Sequence, residues 1–384
     1  MEKKSGNVRI TIAAATAAAA AWKRELFRLF WLLLLPLAVL LPRLAGRYPL
    51  VVERIFGQGL YPVISAILRT VFGIVPFSVA EWLLYGLVIG VPVLVLTMLL
   101  RTVLKRVSWL KFARFLITLL IIGCVAFNAF YVLWGFNYFR PGLSWRLGLD
   151  VHDRPVEELT GLCYALAEEA NTLREQAPED VRGVFILQGS VQESFNKIPE
   201  AYRSLYQDMP QIGANAARPK AVTFSTGLSW AGISGIFIPF TAEPNVNIDQ
   251  PALLIPSSAA HESAHSLGIA REDEANFAAY LACMASDDKA TQYSGVMLAL
   301  IHSGNQLYKA DRDAYSKLYE TYSEKIQRDL VDYDLYWTAF EGPVEETMTK
   351  VNDGYLKYNQ QESGVRSYGE MVDLLLAYFE QRNK

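Results

Sequence analysis

Residues 255–277 read IPSSAAHESAHSLGIAREDEANF and hold two of only four histidines in a chain of 384 residues. On a helix, residues four apart share a face. His261 and His265 can therefore reach one metal ion, with Glu262 beside the open coordination position as a general base. Pro251 and Pro256 keep the approach extended, Ser257 or Ser258 is placed to cap the helix, and Gly268 ends it. Catalytic zinc takes three protein ligands and leaves a fourth place for water, so a third ligand is needed. The choice falls in Arg271-Glu272-Asp273-Glu274-Ala275-Asn276, where a loop can present either Glu272 or Glu274.

Upstream, the pattern is short and rich in β-branched and aromatic residues. Residues 221–225 (AVTFS) and 235–240 (GIFIPF) are expected to be strands, and Pro239 confines the second to a sheet edge. Further upstream, helical spacing predicts helices over 155–176 and near 192–206. Downstream, helices are expected over 293–307, 313–328 and 344–358, with a last one near 368–381.

The first third is lipid-like. No charge occurs over the 19 residues from Trp82 to Leu100 or over the 25 from Phe115 to Phe139, and each run is long enough to cross about 30 Å of hydrocarbon. An earlier apolar run is shorter, with a cleaved signal peptide as its alternative. Three spans result, at about 27–46, 80–100 and 115–138. Between the first two, residues 48–80 mix Gly and Pro breakers with an apolar stripe, as in an interfacial segment or an amphipathic helix resting on the soluble part.

Charge assigns the sides. Basic residues precede the first span, and Arg101, Lys105, Arg106, Lys111 and Arg114 fill the connection after the second without an acid, which places both in the cytoplasm. Residues 1–140 form a membrane region, and 141–384 an extracytoplasmic domain. Up to residue 139 there are 15 basic and 4 acidic residues; from Arg140 there are 21 and 35, which argues against nucleic-acid binding. Cys124 lies in a span, while Cys163 and Cys283 allow one disulfide or two buried thiols.

The ligand stretch resembles the gluzincin-type zinc peptidases, in which a second helix supplies Glu-x-x-Ala followed by Asp or Asn. That register implies Glu272 as third ligand, with Glu274 the alternative, and Asn276 orienting a ligand from behind. A metzincin register would put Arg271 at its last histidine, and an always-protonated guanidinium has no lone pair for zinc. The whole chain resembles an uncharacterised family of bacterial membrane proteins with three predicted spans, a Trp-Gly-x-Asn-Tyr-x-Arg-Pro exit, here Trp134 to Pro141, and an HExxH domain with Glu-Asp-Glu-Ala-Asn-Phe.

These resemblances imply a membrane protein with an α-helical transmembrane region and an α+β, zincin-like soluble domain, mostly helical with a small mixed sheet. They imply a Zn2+-dependent metallopeptidase of the bacterial cytoplasmic membrane, with the lipid bilayer and a peptide or protein substrate as partners. Substrate would add to the edge strand at Gly235, Ile236, Phe237 and Ile238. Tyr355, Tyr368 or His302 would stabilise the oxyanion. A zinc-binding sensor or scaffold without turnover is the alternative. Acids follow His265 within ten residues, so the site is expected to face water.

Overall fold

The computed structural model describes Lys23, Phe27, residues 30–359, Gln361 and residues 370–383. The chain divides into two compact units, Met1–Arg47 with Leu84–Val132, and Tyr48–Leu83 with Leu133–Lys384. That division differs from the one expected at residue 140, because Tyr48–Leu83 and the exit segment both belong with the C-terminal unit.

Three helices are long and apolar enough to cross a membrane: Pro49–Phe72, Val79–Val103 and Trp109–Leu133. By length and composition this is a membrane protein. The last two contain the expected spans, except that the third ends at Leu133, where a tight turn over Gly135–Phe139 takes over. The expected span at 27–46 appears as a helix of 12 residues, Leu34–Ala45, and its beginning lies outside the described residues. Within the first unit, Asn128 Nδ2 donates to Leu34 O at 3.0 Å, joining that helix to Trp109–Leu133.

Pro49–Phe72, expected as an interfacial segment or an amphipathic helix, forms one continuous helix despite its Gly and Pro residues. The reason is a widened π-type stretch over Glu53–Leu60, in which Tyr61 N–H reaches back five residues to Phe56 O. This geometry accommodates Gly57, Gly59 and Pro62 without ending the helix. Glu53, Phe56, Gly57, Tyr61 and Ser65 form its buried face.

The second unit is built around the helix Ile255–Ser266, the histidine helix, all twelve of whose residues are buried. Small residues make that possible: Ala259, Ala260 and Ala264 admit close neighbours, as do Ala275, Ala278 and Ala282 on the ligand helix Glu272–Met284. The helix Lys289–Ala310 backs both and is capped by Asp288. Helices Val156–Arg174 and Val191–Asp208 complete the core, the second started by a reciprocal cap between Ser190 and Glu193. The expected serine caps of the histidine helix are not formed. Its first turn starts earlier, at Ile255, and Ser257 Oγ donates back to Leu254 O at 3.2 Å.

Three short strands form a sheet: β1 (Lys220–Ala221), β2 (Gly235–Ile238) and β3 (Glu243–Val246) in the order β1-β3-β2. β1 runs parallel to β3 and β2 antiparallel to it, so β2 is an edge. The strand expected over 221–225 is cut to its start, because Ser225–Trp230 turns into a helix. The helix expected over 313–328 is two, Arg312–Tyr319 and Glu324–Thr338, since Ser323 caps a new start by accepting from Ile326 N. Arg174 and Asp329, both fully buried, pair at 2.6 Å and tie this last helix to Val156–Arg174. Cys163 and Cys283 are free, buried thiols.

Candidate metal centre

Gly268 makes the local geometry work. Its φ of +80° closes the histidine helix in a left-handed turn, where Gly268 N–H donates to His265 O and Ile269 N–H to Ala264 O. The turn swings Ile269 O back to 2.7 Å from His265 Nδ1. A carbonyl only accepts, so Nδ1 carries the proton and Nε2 presents its lone pair. Asn276, one turn into the ligand helix, does the same for His261, with Oδ1 2.7 Å from Nδ1.

Both Nε2 atoms therefore face inward, 3.1 Å apart, and Glu272 Oε2 joins them at 3.1 Å from His261 Nε2 and 3.7 Å from His265 Nε2. Among the described residues these three form the cluster able to hold a metal, with their ligand atoms within 4.8 Å of one another. Two imidazole nitrogens and a carboxylate converging in a buried space call for positive charge among them, which a proton on His265 or a bound cation can supply. The donor set, two imidazoles and one carboxylate, suits a borderline ion such as Zn2+. Burial alone would depress the basicity of His265, yet the carboxylates of Glu272 and Glu262 raise its pKa to about 9. Burial likewise opposes ionisation of Glu272, but His265 and His261 hold its carboxyl well below the usual range.

Glu274 is turned elsewhere. Its carboxylate accepts from Leu143 N at 2.6 Å and lies near Arg146 and Arg271, outside the cluster. Glu262 points toward β2, whose Phe237 N–H donates to it, and burial pushes its pKa up to about 7. A Cβ at Gly235 would stand 2.6 Å from Glu262 Cγ, so a side chain there would displace the glutamate.

A cleft of about 540 Å3 opens over these groups, and its lining includes Gly235, Ile236 and Phe237 together with His302, Met348 and Tyr355. Burial and the proximity of His261 lower the His302 pKa to about 4, leaving a neutral imidazole. Tyr368, the third oxyanion candidate, lies outside the described residues. Sequence reasoning missed Tyr138, whose hydroxyl donates to that of Tyr355 at 3.1 Å and which also lines the cleft. It also missed Trp134, whose Nε1–H donates to His265 O at 2.9 Å. Their signal was present in the aromatic exit motif, read only as a membrane boundary.

A family model described as a protein of unknown function (DUF3810) matches residues 56–376. Neither the curated proteins nor the solved structures contain a match. The matched stretch runs from the π-type turn of Pro49–Phe72 through His261, His265 and Glu272 to the final helix, and the chain belongs to the DUF3810 family.

Proposed function

We propose that this chain is a membrane-anchored, zinc-dependent peptidase whose catalytic unit lies outside the cytoplasm. The convergence of His261, His265 and Glu272 beside Glu262 carries the reading. His261, His265 and Glu272 would hold Zn2+, which when bound polarises a peptide carbonyl and makes a water acidic enough to lose its proton near neutral pH. Glu262, raised by burial toward neutrality, takes that proton and returns it to the leaving amine. The main-chain groups of edge strand β2 other than the Phe237 N–H, which Glu262 takes, would hold an extended peptide as an added strand, which suits recognition of main chain over side chain. Tyr355 and neutral His302 would donate to the developing oxyanion across the cleft.

The basic connection between Val79–Val103 and Trp109–Leu133 supports a cytoplasmic loop there, and hence the opposite side for the chain beyond Leu133. The deciding experiment compares wild type with Glu262→Gln on peptide libraries, alongside metal analysis of the purified full chain. Equal zinc content with hydrolysis reduced about 10²–10⁴-fold is the expected result. Protein purified in zinc-containing buffer without bound metal would sink the reading; bound metal with no turnover in either form would favour a sensor or scaffold.

A further inference from the structure

The helix Pro49–Phe72 satisfies the length and apolarity of a span, yet its contacts describe something else. Near its start, Glu53 pairs with buried Arg140 at 2.6 Å. In its middle, Tyr61 and Ser65 hydroxyls both donate to Ser266 O at 2.9 Å. At its end, Lys220 Nζ donates to Phe72 O at 2.7 Å, and Arg69 donates to the carbonyl of exposed Asn215. All these partners belong to the same compact unit. From Glu53 to Phe72 the helix covers about 28 Å, close to the thickness of the hydrocarbon layer. A crossing helix would carry Arg140 and Lys220 to opposite sides of the membrane, and drag the polar unit between them through lipid.

We propose that Pro49–Phe72 lies along the bilayer surface instead of crossing it, and that its partner is the lipid itself. The face turned away from the unit is a continuous apolar stripe: Val51, Ile55, Val63, Ile67, Val71 and Ile74 are each more than half exposed. Such a stripe, opposite a polar contact face, suits burial to about 5–10 Å below the headgroups. Continuity argues for lipid as the occupant, since Val79–Val103 starts seven residues after Phe72 and runs on as an apolar span. Charge agrees. Arg69 and Arg218 line a pocket of about 140 Å3 at the end of the helix, where lipid phosphates would lie.

The consequence is positional. Tyr61, which faces the unit, also lies 3.2 Å from His265 O, so the histidine helix ends about one helix diameter, ~10 Å, from the lipid-facing stripe. The inference stands whether or not the centre hydrolyses peptides.

The test uses the full chain in vesicles of mixed phosphatidylcholine and phosphatidylglycerol, with nitroxides placed singly at Ile55→Cys, Val63→Cys and Val71→Cys. These positions are exposed, whereas the native thiols Cys124, Cys163 and Cys283 are buried. Collision with oxygen and with a water-soluble nickel chelate reports the depth of each. Equal shallow depths, about 5–10 Å below the phosphates, are expected at all three. Val63 at the bilayer centre with Ile55 and Val71 near opposite surfaces would overturn the proposal, and so would three labels fully accessible to nickel.

Discussion

Two helices that line the cleft are built on opposite terms. The histidine helix Ile255–Ser266 buries all twelve of its residues, whereas the rim helix Pro343–Tyr358 buries only Leu356 among sixteen. The floor is therefore set by packing on every side, which holds the two imidazoles and Glu272 in one geometry. Val344, Met348, Val351, Tyr355 and Tyr358 on the rim keep apolar surface uncovered, and three of the five line the cleft. Substitutions behind the floor should thus be read in stability, and substitutions on the rim in what the cleft accepts.

The largest expected effect lies behind the floor. Asp329 is fully buried and accepts from Arg174 at 2.6 Å, from Tyr293 hydroxyl at 2.7 Å and from Phe185 N at 2.8 Å. Tyr293 belongs to Lys289–Ala310, the helix that backs the histidine helix. Asp329→Ala takes the nearer carboxylate from a buried guanidinium, leaving it Glu179 at 3.2 Å and Gly183 O at 3.0 Å, and removes the acceptor of Tyr293 hydroxyl and Phe185 N–H, and should lower the unfolding free energy by about 3 kcal/mol. Denaturant unfolding of the full chain in detergent measures it; a loss below about 1 kcal/mol would show that the floor does not depend on this pair.

The next effect is smaller and depends on pH. Asp288 caps Lys289–Ala310 through Thr291 and pairs with Lys197 at 2.6 Å. Burial works against its charge, but Lys197 and Thr291 together hold the carboxyl below its ordinary range. A depressed folded-state pKa contributes stability above the unfolded value of about 3.9 and loses it as pH falls through the folded value. Asp288→Asn keeps the cap and removes the charge, so wild type should be more stable by about 1 kcal/mol near neutral pH. That gap should close below about pH 4, as followed by thermal unfolding from pH 3 to 7. A gap that widens on acidification would contradict the assignment.

The same contrast explains what could be read from the chain alone. His261, Glu262, His265 and Glu272 were legible because metal chemistry demands few residue types at fixed spacing. The long helices were legible through periodicity, although the stop at Glu320 and the new start at Ser323 were hidden inside one apolar pattern. β3 was not, because only Val246 in Glu243-Pro244-Asn245-Val246 favours a strand. Its burial comes from tertiary partners, Lys220 and the N–H groups of Val79 and Ala80, that lie far away in sequence. Over Pro49–Phe72 the apolar stripe was legible but the widened turn that accommodates its glycines was not, because composition does not announce it.

The rim should respond in the opposite sense to the floor. Val351 is 59% exposed and lines the cleft, so Val351→Ala removes little packing and should change stability by no more than about 0.5 kcal/mol. If the cleft binds an apolar side chain of a peptide there, the same change removes about two methyl groups of contact. KM for such a peptide should then rise about tenfold with kcat nearly unchanged, because the contact exists equally in ground and transition states. Tyr355 separates binding from chemistry on the same helix. Tyr355→Phe deletes the hydroxyl that meets Tyr138 at 3.1 Å and leaves the ring in place. A fall in kcat with KM unchanged would make that hydroxyl a donor to the transition state; equal kcat would reduce it to a packing residue and leave His302 as the facing electrophile. Either result preserves the contrast only if both variants unfold with wild-type midpoints. A rim variant that unfolds like Asp329→Ala would mean that the cleft has no separable rim.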